Sequence, residues 1–100
     1  MSKKYEVTAM AYNKRGKLLA VGRNSYCKTH PLQARLGRAS GRPAAIYLHA
    51  ETVACLKSRE PIHELRIYRY DNDGNPANSK PCPACQLLIR QFNIKKVFHT

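Results

Sequence analysis

The chain has 100 residues, 43% of them hydrophobic, which allows one domain with one core and excludes both two domains and a disordered chain. Lys and Arg number 18 against 6 Asp and Glu, a formal charge of +12, which points to an anionic partner such as phosphate over a merely solvated basic surface. No apolar run reaches the ~20 residues of a bilayer span, and Met1–Val7 lacks the apolar stretch of a secretory signal.

No membrane association and a cytoplasmic location are therefore expected. Thiols stay reduced there, so the four cysteines favour metal binding or catalysis over a disulfide scaffold. In chain order, Tyr5 to Asn13 alternates Val7, Ala9 and Ala11 with more polar neighbours and predicts a strand. Lys14-Arg15-Gly16-Lys17 is a turn, and Leu18 to Val21 the return strand of a hairpin. Gly22 to Pro43 is a long basic stretch without a clean period, of a length that marks functional or mobile loops, with a short helix over Leu32 to Arg38. Ile46 to Ser58 places Ile46, Val53 and Leu56 at helical spacing with His49 on the same face.

Glu64 to Tyr70 alternates as a strand, and Asp71-Asn72-Asp73-Gly74-Asn75-Pro76 is a turn. The bidentate glutamate of a calcium loop does not follow it. Pro81-Cys82-Pro83 opens a second helix, with Cys82 at the N-cap, Pro83 at the first helical position and Cys85, Leu88, Ile89 and Phe92 as its buried stripe. Ile94 to His99 is the last strand. Strand–helix–strand units after a hairpin predict an α/β domain over residues 1–100, a mixed sheet of about four strands with helices packed on it.

The chemistry lies at the two helix starts, His49-Ala50-Glu51 and Pro81-Cys82-Pro83-Ala84-Cys85. Zinc takes imidazole nitrogen and thiolate sulfur in a tetrahedron. Cys82 and Cys85, three apart at a helix N-terminus, face one point there as favoured thiolates, and His49 supplies a third ligand. Three protein ligands leave the fourth position open, as in catalytic zinc sites, where the pKa of water falls toward ~7. Glu51, two residues past the histidine, is placed to shuttle a proton. A redox reading of Cys82 and Cys85 leaves His49 and Glu51 without a purpose.

H-x-E followed by P-C-x-x-C is the signature of zinc nucleobase deaminases, and with the surrounding strand and helix order the chain resembles the cytidine deaminase-like superfamily. The resemblance implies a three-layer-type fold and hydrolytic conversion of cytosine to uracil. It makes His49, Cys82 and Cys85 the Zn2+ ligands, Glu51 the proton shuttle, the Ala50 N–H an oxygen-binding donor and Asn24 a sugar contact. Relatives usually continue beyond the strand after the cysteine helix, and many carry a helix before the first strand. A minimal member, truncated at the C-terminus, is thus implied, with an exposed last strand that favours a homo-oligomer.

Lys28, Arg35, Arg38 and Arg42 lie between Asn24 and His49, placed for the 5′-phosphate of a nucleotide or the backbone of a strand. Tyr26 is the best of the tyrosines, ahead of Tyr68 and Tyr70, for stacking on a base. His30 lines the pocket or serves structure. Cys55 reads as a small buried hydrophobe, Cys27 as a free thiol, and His63 and His99 as incidental. Cytosine in single-stranded nucleic acid is slightly favoured as substrate, with a free cytidine or deoxycytidine nucleotide as the alternative and a non-catalytic zinc-containing nucleic-acid-binding module as the rival of another class.

Overall fold

A computed structural model of the chain describes residues 6–25, 27–41, 47–71 and 73–100. Its elements run β1 (Val7–Tyr12), β2 (Leu18–Arg23), α1 (Pro31–Ala39), α2 (Ala50–Lys57), β3 (Glu64–Arg69), α3 (Pro83–Gln91) and β4 (Lys96–His99). The hairpin forms as expected. The Asn13 carboxamide accepts the Arg15 and Lys17 N–H groups at 3.0 and 2.9 Å, and Gly16 takes the positive φ of 84° that the tight turn requires.

The sheet order is β2-β1-β3-β4, antiparallel except for the parallel β3–β4 pair. This is the mixed four-stranded α/β architecture the sequence predicts, and β4 does lie at an edge. Inward positions Ala9, Ala11, Leu65 and Ile67 are fully buried. They join Leu32 and Leu36 of α1, Ala50, Ala54 and Cys55 of α2 and Ala84 and Leu88 of α3 in one core. Helix α2 lies directly on β1, β2 and β3, and α3 and α1 extend the same core beside it; the shortest extent of the molecule is 19 Å. The described residues fill two of the three layers that the superfamily arrangement implies.

Several boundaries move. Helix α2 starts at Ala50, with His49 as its N-cap in extended conformation; Ile46 lies outside the described residues. The expected apolar stripe is not its buried face, since Val53 is half-buried and Leu56 is 41% exposed. Ala50, Glu51, Thr52, Ala54 and Cys55 are buried instead. Close approach to the sheet selects small residues there: a Cβ on Gly22 would collide with the Ala50 carbonyl oxygen and the Ala54 amide nitrogen. Helix α1 is longer than expected because His30 Nδ1 accepts the Leu32 N–H at 3.0 Å and Pro31 opens the first turn.

Helix α3 begins as the sequence predicts, with Cys82 at the N-cap and Pro83 next. It ends in a Schellman motif. Asn93, at φ 56°, lets the Asn93 and Ile94 N–H groups reach the Arg90 and Ile89 carbonyls, both at 3.1 Å. That turn returns the chain to β4, which starts at Lys96 instead of Ile94. Tyr70, expected as the last strand residue, makes only an isolated bridge to Pro76. Between them, Asp71 Oδ1 accepts from Asp73 and Asn75, both at 2.9 Å, in a plain turn. Thr100 then pins the segment before α3: its Oγ1 donates to the Ala77 carbonyl at 2.6 Å and accepts from the Arg69 N–H at 3.0 Å.

Candidate metal centre and cleft

Helices α2 and α3 point their N-termini at one place, because His49 and Cys82 are their N-caps. His49 Nδ1 lies 3.2 Å from Cys85 Sγ and 3.5 Å from Cys82 Sγ. The three donor atoms all lie within 4.8 Å of one another. A tetrahedron with Zn–S near 2.3 Å and Zn–N near 2.0–2.1 Å has N–S edges of about 3.6 Å. One imidazole nitrogen and two sulfurs at this spacing fit zinc, and the cluster is compatible with binding it.

The thiols are already prepared. Cys82 receives hydrogen bonds from Cys85 and His49, which draw it from 9.0 down to about 3 despite partial burial. Cys85 holds its proton on the Cys82 sulfur, and burial and the nearby Glu51 carboxylate keep it protonated well above the usual thiol range. Without metal the pair therefore carries one proton and one negative charge, close to two helix N-termini that favour the anion.

Glu51 sits in the first turn of α2, only 6% exposed. It lines a cleft of about 220 Å³ together with Asn24, His49, Ala50 and Cys82. That is below the 300–1,000 Å³ of drug-sized sites and matches a single ring system. Asn24 is held by its Oδ1, which accepts the Val7 N–H at 2.9 Å. Ala50 is the first residue of α2, so its N–H is one of the four that a helix start leaves without an intrahelical acceptor.

The other expected residues sit elsewhere. Lys28 lines a neighbouring groove with Val21, Leu48 and Lys57, on the far side of Asn24. Arg35 and Arg38 are exposed on α1, and His30 caps that helix. Tyr26 and Arg42 lie outside the described residues. Cys55 is buried, with its thiol pushed up from 9.0 to about 12 by burial first and the Glu51 charge second. Cys27 is free and exposed.

The sequence reading missed two groups. Arg69, Asn78, Ser79 and Lys80 also line the cleft. Strand alternation was the available signal for Arg69, which shares the side of Ile67 and not that of Tyr68. Gln33, fully buried on α1, accepts the His49 backbone N–H at 3.2 Å and the Thr52 hydroxyl at 2.6 Å. It fixes the start of α2, and hence the histidine, through contacts no motif records. No helix among the described residues is long and apolar enough to cross a membrane. Comparison with protein-family models and with curated proteins gives no match.

Proposed function

We propose that the chain is a zinc-dependent deaminase of the cytidine deaminase-like superfamily that converts cytosine to uracil, single-stranded nucleic acid being slightly favoured over a free nucleotide. One observation carries the reading: the buried Glu51 carboxylate shares a ring-sized cleft with two members of the His49–Cys82–Cys85 cluster. A purely structural metal module has no use for a carboxylate desolvated at that spot. Zinc bound by the three residues lowers the pKa of water toward ~7.

The chain's own groups account for the rest. Glu51 takes a proton from the attacking water as the oxygen adds to C4, and hands it to the ring nitrogen N3. A second transfer loads the exocyclic amine, the C4–N bond breaks, and ammonia leaves a uracil carbonyl behind. The Ala50 N–H donates to the ligand's oxygen, and Asn24, clamped to Val7, contacts the sugar.

The test is mass spectrometry of products after offering dCMP, deoxycytidine and a cytosine-containing single-stranded oligonucleotide to zinc-loaded protein. Cytosine should gain the mass of deamination, and Glu51→Ala should abolish turnover while zinc stays bound. Conversion of the mononucleotide alone would move the substrate to the free nucleotide. No conversion of any substrate by zinc-loaded protein would leave the non-catalytic module.

A further inference from the structure

Among the described residues the helices close their core against the Ala9 and Leu65 side of the sheet, and none of them covers the other side. Register and strand alternation place Tyr12, Arg66, Tyr68, Lys96 and Phe98 on it, with Arg23 beside Thr8 at its β2 edge, where Arg23 also lines the groove next to Val53 and Lys57 of α2. None of the six is buried, and Phe98 is 51% exposed. The Tyr68 and Phe98 rings, on neighbouring strands, have centroids 5.8 Å apart at 48°. The Arg66 guanidinium lies 5.2 Å from the Tyr12 ring centroid and also binds Glu64 at 2.7 Å, neutralising that carboxylate.

We infer that this open sheet face is a platform for single-stranded nucleic acid, with bases stacked on Tyr68 and Phe98 and phosphates passing Arg23 and Lys96. Rings bind bases of any sequence through their π-faces, and cations spaced among them follow the backbone. The partner's charge follows from the molecule's: a chain of net charge +12 attracts a polyanion and opposes face-to-face pairing with its own copy. The platform also meets the cleft. Arg23 and Tyr68 directly precede Asn24 and Arg69, and these two line the cleft, so the platform and the cleft share one end of the sheet. A strand bound on the face can turn that end and place one nucleotide in the cleft. Binding to the face does not depend on the deaminase reading.

The experiment uses full-length zinc-loaded protein and the cytosine-free oligonucleotides dT15 and rU15, so the outcome is independent of turnover. The protein has no tryptophan, which makes Phe98→Trp a unique reporter. Its fluorescence should be quenched as either oligonucleotide is added, along a curve that matches anisotropy of the labelled strand. In the native Phe98 background, Tyr68→Leu should weaken binding about tenfold and Tyr68→Phe should restore it. Removing Arg23 and Lys96 together should flatten the log–log salt dependence by about 1.4, from ~0.7 per phosphate contact, whereas Arg35→Ala with Arg38→Ala should leave the slope closer to native. Absence of binding, or binding without quenching and indifferent to Tyr68→Leu, overturns the platform. So does a dimer in light scattering that Phe98→Asp dissolves, which would give the face to a second copy.

Discussion

At the scale of single residues, the cleft depends on groups that hold the ligands as much as on the ligands. Gln33→Ala removes the acceptor of both the His49 N–H and the Thr52 hydroxyl. It should cost about 1–3 kcal/mol of stability for the donors left unpaired and about 10–100-fold in zinc affinity, read by thermal melting and by competition with a chromogenic chelator. The cysteine pair makes a second prediction. Cys82 is drawn toward its thiolate and Cys85 held protonated without metal, so zinc loading near pH 7 should displace at least the Cys85 proton. Calorimetry in two buffers of different ionisation enthalpy counts the release, and none at all would contradict the pairing described. Cys55 supplies a pH dependence. Its folded pKa is raised from 9.0 to about 12, so its contribution is complete below 9, where the unfolded thiol is also neutral. The contribution then declines as the pH rises toward 12. Urea midpoints should fall less steeply above pH 9 in Cys55→Ala than in the native chain.

At the scale of elements, α2 shows where sequence patterns inform and where they stop. Punctuation was legible: Gly16 marks the hairpin turn, Pro83 the start of α3, and the strands alternate as they should. Helix α2 was misread because period alone favours its bulkiest residues, Val53 and Leu56, as the buried face. The sheet in fact demands its smallest, Ala50 and Ala54, since the backbone of Gly22 passes directly beneath them. A contact between elements 28 residues apart (Gly22 and Ala50) is invisible to any local period. Gly22→Ala should therefore pry α2 from β2 and cost about 1–3 kcal/mol, lowering the melting temperature by about 4–8 °C per kcal/mol in a domain of this size. An unchanged melting temperature would show that the two elements part more easily than their fit indicates. The His49–Cys82–Cys85 cluster, by contrast, was readable because each member sits at a helix start, where N-caps and prolines give local signals.

For the whole molecule, charge is the dominant fact. The chain carries 18 cationic side chains, and the described residues contain a single ion pair, Arg66 with Glu64. Self-repulsion is left unrelieved, so raising salt from about 0.05 to 0.5 M, which shortens the Debye length from roughly 14 to 4 Å, should raise the melting temperature. A fall would mean that Arg66–Glu64 and the helix-end charges outweigh the repulsion. The donor geometry at the heart of the cleft has one more consequence. His49 is 33 residues from Cys82 and 36 from Cys85, and the span between them contains β3 and the Asp71 turn. An ion shared across that span would act as a reversible staple. Like a disulfide closing a loop of similar length, it removes chain entropy from the unfolded state, an effect worth about 2–4 kcal/mol in disulfides. A protease cutting only opened chains would thus read out metal supply, and the lifetime of the protein would rise and fall with the zinc around it.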